Sequence, residues 1–232
     1  MSAALPWLPQ GTVYGALLNF RREWDLWAPQ MTQAPYKAAP QAPVLYIKTA
    51  NTFAPCGAAI AVPDEVDVGA TLGLVIGGFE EKLPPALAES AQAATKKEAG
   101  GLHRIAGCVL LNDLSLPHAS YYRPPIKFRN RDGFLGCGPV LQAVPDLSTL
   151  ALELRINGTL AQRIELSTLV RDAATLLRDV SEFTTLQAGD VLMLGTDCLP
   201  DGTRLRAKAG DRIEISAPDF APLVNTLVED AA

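Results

Sequence analysis

Apolar residues along the chain gather into short runs that break at glycine, proline, aspartate and asparagine. TVYGALLNF (12–20) predicts a strand that ends in a polar turn. VLYIKTAN (44–51), AAIAVP (58–63), ATLGLVIGG (70–78) and HRIAGCVLLND (103–113) repeat the pattern. Their β-branched and aliphatic residues suit a pleated, buried surface. LALELRING (150–158) alternates in the manner of a half-buried strand, and its Asn-Gly end predicts a hairpin with TLAQRIEL (159–166) as the return strand. LQAGDVLMLGT (186–196), AGDRIEISAP (209–218) and PLVNTLVED (222–230) read as three further short strands divided by Gly-Asp turns.

Helical spacing occurs in fewer places. In 167–184, Leu169, Val170, Ala173, Leu176, Leu177, Val180 and Phe183 recur at helical intervals, and Ser167 is a candidate N-cap. The stretch 79–101 carries Pro84 and Pro85 near its start and a glycine pair at its end, the punctuation of a helix. RREWDLWAPQM (21–31) reads as a helix or a lid-like loop. Residues 35–43 are proline-rich and irregular, and 117–139, dense in Arg, Lys, Tyr, Gly and Pro, reads as a loop. Many strands with few helices predict an α+β fold dominated by β. We expect an N-terminal extension over 1–10 and a single domain over 11–230.

Composition narrows the function. Hydrophobic residues make up 48% of 232 and charged ones 19%, a globular balance. The formal charge of −5 gives no general attraction to nucleic acid or to an anionic membrane. No apolar run approaches the roughly 20 residues of a membrane-spanning helix, and MSAALPWLPQ lacks a basic leader, so a cytoplasmic location is expected. Cys56, Cys108, Cys137 and Cys198 are widely spaced and read as reduced, and two histidines, His103 and His118, supply a zinc site poorly. Neither a dinucleotide-binding glycine motif nor a P-loop is present.

The order of short phrases carries more information than any one of them. L18-N19-F20, I47-K48-T49-A50-N51-T52, L111-N112-D113, R131-D132-G133, S181-E182-F183-T184-T185-L186, G189-D190, L194-G195-T196 and G210-D211 follow one another in a sequence that resembles the fumarylacetoacetate hydrolase family. PYKAAP (35–40), VGAT (68–71) and SLP…SYYRPPIK (115–127) point to the N-terminal half of its two-part isomerase/decarboxylase branch, which serves 4-hydroxyphenylacetate degradation. The resemblance implies a mixed β-sandwich roll around Mg²⁺ or Mn²⁺ that chelates a 2-oxo di- or tricarboxylate. In such a reaction the metal acts as a Lewis acid, stabilising the dienolate left when CO₂ departs. A proton then moves along the conjugated system.

The same resemblance exposes departures. The family supplies its metal with two glutamates one residue apart on a strand and an aspartate on a later one. Alternate strand residues face one side, so that spacing brings both carboxylates to one ion. Here those glutamate positions fall on Gly69 and Thr71, and Asp113 alone remains, as a residual ligand or a turn former. The metal is accordingly expected to be weak or absent in this chain. Glu23 stands at the family's catalytic histidine position, as a proton-transfer group or a surface helix charge. Arg129 stands at a family lysine position and keeps the charge without readily giving up a proton.

Arg123, Lys127, Arg129 and Arg131 are candidate counter-charges for substrate carboxylates, or else a solvated basic loop. Lys48 and Asn51 are placed to orient a carboxylate or to close a turn, and Gly195-Thr196 to present donors to a ligand. Three roles remain open: a subunit that depends on a same-fold sibling or assembles as a homo-oligomer, a self-sufficient decarboxylase, or a non-catalytic scaffold.

Overall fold

The computed structural model describes residues 6–77, 105–118, 126–141 and 144–230. Its strands are β1 (Val13–Leu17), β2 (Val44–Lys48), β3 (Phe53–Pro55), β4 (Ala59–Val62), β5 (Val66–Ile76), β6 (Ile105–Ser115), β7 (Leu135–Leu141), β8 (Ala151–Ile156), β9 (Thr159–Glu165), β10 (Val191–Met193), β11 (Arg206–Ala207), β12 (Arg212–Ser216) and β13 (Leu223–Glu229). The helices are α1 (Arg21–Met31), the single turn α2 (Ile126–Arg129) and α3 (Ala173–Ser181), with 3₁₀ turns at Ala50–Thr52 and Leu166–Thr168. The architecture is β-dominated with few helices, as the strand runs predict.

Among the described residues the strands form two curled, mixed sheets. One runs β2-β1-β10-β5-β6-β7-β3, with β11 pairing to β5, and the other runs β4-β13-β12-β8-β9. Most neighbours are antiparallel, while β1 and β10, β3 and β7, and β4 and β13 run parallel. The eleven-residue strands β5 and β6 are the spine, in register from Asp67↔Ser115 through Gly69↔Asp113 to Val75↔Gly107.

Both faces of this spine are covered. Val66, Val68, Ala70, Leu72 and Leu74 face the second sheet and join Leu152, Leu154, Ile213, Ile215 and Leu227 in the main core. On the opposite face Val75, Val109 and Leu111 pack with Val13, Leu135, Cys137, Val191 and Met193 in a smaller cluster. Double burial explains why the sequence of β5 runs apolar without alternation.

Several boundaries differ from the sequence expectation. β5 begins at Val66, so the run from Val66 to Gly69 is strand rather than approach, and β6 continues two residues past Asp113 to Ser115. Asp113 is therefore a strand-body residue paired with Gly69 and Leu135, not a turn former. The loop expected over 117–139 contains α2 and most of β7, while 119–125 lie outside the described residues, as does the helix expected over 79–101. The helix expected from Ser167 starts at Ala173, and Asp172 caps it by accepting from the Thr175 N–H at 2.8 Å. Residues 166–171 cannot join that helix. Leu169 bridges to Phe20, and the Val170 N–H donates to the Asn19 carbonyl at 2.8 Å. Phe183, expected on its packed stripe, lies beyond the helix and is 59% exposed.

Candidate active site

One end of the odd-numbered face of β5 and β6 is polar where the rest is apolar. Asp113 sits there, with Gly69 directly across on β5 and Thr71 two residue pairs further along, on the same face. β2 brings Tyr46 and Lys48, two residues apart and therefore on one side of the strand, onto the same carboxylate. The Tyr46 hydroxyl donates to Oδ2 of Asp113, and Arg129 Nη1, from α2, donates to the same oxygen at 3.1 Å. Lys48 Nζ lies 2.8 Å from Oδ1. Its three N–H bonds point elsewhere, to the carbonyls of Arg129, Phe134 and Leu114 at 2.6, 2.8 and 2.9 Å. An ammonium has only three donors, so the contact with Oδ1 is an ion pair without a directed hydrogen bond. The Arg129 guanidinium also stacks over the Tyr46 ring, 4.4 Å from its centroid. A side chain at Gly15, the register partner of Tyr46, would overlap that ring.

Burial and charge set the titration of this cluster. Burial alone would push the Asp113 carboxyl up, but Lys48 and Arg129, aided by the Tyr46 hydroxyl, hold it below the usual carboxylate range. Burial pulls the Lys48 ammonium down against the opposing effect of Asp113, and burial followed by the Asp113 charge pushes the Tyr46 phenol well up. The arrangement is a closed ion-pair knot.

A cavity of about 20 Å³ lies beside it, lined by Gly69, Asp113, Ser115, Arg129, Thr196 and Arg204 among others. That is room for about one water molecule, not for an organic acid. Thr196 approaches so closely that a Cβ on Gly69 would lie 2.5 Å from its Cγ2. Thr196 is aimed there by Gly195, whose φ of +108° and position 2.9 Å (as a hypothetical Cβ) from the Ala16 carbonyl leave room for glycine only.

The family metal does not fit these residues. Among the described residues no three His, Cys, Asp or Glu side chains come together as a metal site. The one carboxylate at the family position already faces two fixed cations, and a third would meet their repulsion. The glutamate positions offer a hydrogen atom at Gly69 and a buried hydroxyl at Thr71.

A second, larger cavity of about 510 Å³ opens next to the first. Its walls include Glu23 and Trp27 from α1, Asp67 from β5, Pro117 and His118 after β6, and Gly202, Thr203, Arg204 and Arg206. Glu23 is a wall of this cavity and not a surface charge, with 3% exposure on a helix whose other charged residues are exposed. It forms an ion pair with Arg204 Nη2. Arg204 Nη1 donates to Thr196 Oγ1 at 2.8 Å and to the Thr196 and Asp197 carbonyls at 3.1 and 3.2 Å. His118 stacks on Phe128 at 5.5 Å, with Nδ1 within 3.0 Å of the Leu116 carbonyl and 3.3 Å of Ser115 Oγ. Burial raises the Asp67 carboxyl from its ordinary value, opposed first by Arg206.

The structure thus brings together Lys48, Asp113, Arg129, Gly69 and Thr196, with Glu23 reaching the same region through Arg204. Three other candidates stand apart. Asn51 closes a turn, donating to the Asn130 carbonyl at 3.1 Å and to Asp132 Oδ1 at 2.7 Å. Arg131 pairs with Asp230 at 2.9 Å, and Lys127 is exposed on α2; neither lines the cavities described. Arg123 lies outside the described residues. Sequence reasoning missed Tyr46, Asp67 and Arg204. Tyr46 could have been found from its two-residue spacing to Lys48, whereas Arg204 pairs with a residue 181 positions away and leaves no local signal.

Two curled mixed sheets with a polar cluster at the end of a doubly buried strand pair define a β-roll beside a cavity lined by acids and arginines. The chain belongs to the fumarylacetoacetate hydrolase family: the model of the fumarylacetoacetate (FAA) hydrolase C-terminal domain matches residues 12–228. It is 38% identical over 224 residues to a 4-hydroxyphenylacetate degradation bifunctional isomerase/decarboxylase of Escherichia coli, covering 95% of this chain and 48% of that protein. A protein of the same description from Salmonella dublin is 35% identical over 223 residues, again covering 95% and 48%. The chain therefore spans about half the length of these curated relatives. Among solved structures it is similar to a 5-carboxymethyl-2-hydroxymuconate delta-isomerase from Mycobacterium smegmatis, with a TM-score of 0.70 and 25% identity over 95% of this chain and 80% of that one.

Proposed function

We propose that this chain is the N-terminal-type half of a decarboxylase/isomerase acting on 5-oxopent-3-ene-1,2,5-tricarboxylate and 2-hydroxyhepta-2,4-diene-1,7-dioate in cytoplasmic 4-hydroxyphenylacetate catabolism. Its own metal site is degenerate, and it works with a same-fold sibling that carries the carboxylate pair. One observation supports the dependence above others: Asp113 is held by Lys48, Arg129 and Tyr46, with Gly69 and Thr71 beside it. Half-length coverage of the relatives agrees with a partner that supplies the rest.

A second reading, a self-sufficient catalyst, is favoured by the larger cavity. At about 510 Å³ it is large enough for a small tricarboxylate and lined by both arginines and acids. In that case Arg204 and Arg206 would hold carboxylates, and Glu23 or His118 would move the proton. A non-catalytic scaffold would bind no such acid.

CO₂ release from the tricarboxylate, followed with Mg²⁺ or Mn²⁺ present, separates the readings. The expected outcome is negligible release by this chain alone and release once the sibling is added. Turnover by the isolated chain would overturn the dependence on a partner.

A further inference from the structure

Arg204 lines both cavities and stands at their boundary. Its guanidinium is positioned before any ligand arrives, because Nη1 is anchored on Thr196 Oγ1 and the Thr196 and Asp197 carbonyls. Its other terminal nitrogen, Nη2, bonds Glu23, which lines the larger cavity with it. Glu23 holds the Nη2 donor that a ligand carboxylate would take in the charge-assisted geometry arginine favours, so a ligand acid and Glu23 contend for it.

We propose that Arg204 is the carboxylate-binding residue of the larger cavity, and that Glu23 is a built-in competitor which an incoming ligand carboxylate displaces. The class of ligand rests on the function proposed above; the competition rests on the geometry alone. α1 need not undock for the exchange. Next to Glu23, Arg22 Nη1 donates to the Cys198 carbonyl at 2.7 Å and pairs with Asp197 Oδ2 at 3.2 Å, which ties the helix to the same loop independently. Glu23 therefore leaves by side-chain rotation. A second carboxylate of the ligand would find Arg206, whose contacts with Glu65 and Asp67 are long, 3.3 and 3.5 Å, and whose side chain is half exposed. The device sets specificity: a ligand must carry a carboxylate to displace Glu23, and an uncharged analogue leaves the pair closed.

Calorimetric titration of 2-oxoglutarate into the full chain at fixed ionic strength tests this. Glu23→Gln removes the competing charge while keeping the shape, and is expected to tighten binding roughly tenfold. Arg204→Gln is expected to abolish it. Binding by a folded Glu23→Gln variant that is no tighter than that of the parent, or no heat from either protein at millimolar acid, overturns the proposal. If Glu23→Gln does not fold, Glu23→Asp decides, because its shortened carboxylate withdraws from Arg204. Tighter binding supports competition, and equal or weaker binding overturns it. Absent CO₂ release with or without the sibling would sink the catalytic reading while leaving a Glu23-dependent affinity intact. Release together with an unchanged affinity would do the reverse.

Discussion

The two cavities share Asp67 and Arg204 in their walls, yet one has a volume of about 20 Å³ and the other about 510 Å³. Around Asp113 every cation is fixed from several sides: Lys48 by three carbonyls and Arg129 by the carboxylate and the Tyr46 ring. Glu23 is paired directly with Arg204 on the wall of a space of about 510 Å³ that Asp67 and Arg206 also line. The family arrangement puts metal chemistry at the first place. In this chain the positive charge there belongs to Lys48 and Arg129, while Arg204 and Arg206 line the second. The Asp113 carboxylate is satisfied by two side-chain cations, and the space left beside it is only about 20 Å³.

The largest test of this contrast is Asp113→Ala. Removing one partner of a buried ion pair leaves uncompensated charge, which typically costs about 3–5 kcal/mol. Here two cations lose their partner, so the variant is expected to unfold at markedly lower denaturant, and a loss below about 1 kcal/mol, the range of surface pairs, would show that the knot is not structural. The pH dependence has a definite sign. The folded Asp113 carboxyl is held below its ordinary value, so its stabilisation is present above the unfolded-chain pKa and is lost as pH falls through the lower folded one.

Gly69→Glu is expected to have the next largest effect. A Cβ alone would meet Thr196 Cγ2 at 2.5 Å and the Asp113 carbonyl at 3.2 Å. Overpacking of this kind costs about 1–3 kcal/mol, before the cost of burying another carboxylate. Thermal unfolding should therefore shift downward, and Mg²⁺ at millimolar concentration should not restore it. Full recovery with Mg²⁺ would mean that the place can be rebuilt into a metal site by one residue.

Legibility in the sequence followed the reach of each interaction. β5 and β6 could be read because double burial leaves a long apolar run, and the 156–159 hairpin because Asn157 and Gly158 both take positive φ there. β3 and β11, of three and two residues, are too short to leave a period. Ser167 and Asp172 are equally capable caps in sequence; the contacts from residues 169 and 170 to Phe20 and Asn19 decide between them, and those partners are distant in the chain. At the site, Lys48, Asp113 and Arg129 could be placed by resemblance, but their mutual pairing could not. Half-buried arginine partners such as Arg204 are set by loop geometry, which no local spacing encodes.

The smallest effect sharpens the comparison most, because it compares two carboxylates on one sheet face. Asp67 lies on the same side of β5 as Gly69, across from Ser115, yet burial raises its carboxyl where Asp113 is lowered. A raised folded pKa means that folding disfavours the ionised form. That penalty is present in full above the folded pKa, fades as pH falls through it, and is gone below the unfolded value. The opposing partner, Arg206, stands 3.5 Å away with a half-exposed side chain, a geometry that contributes little. Asp67→Asn removes the ionisable group while keeping its shape, so it should melt slightly above the parent at pH 7, with the gap closing as pH is lowered toward about 3–4, where free aspartate protonates. Asp113→Asn should show the reverse order at pH 7. If Asp67→Asn instead melts below the parent at neutral pH, the Asp67 charge is stabilised by its arginines, and the larger cavity is as tightly paired as the smaller one.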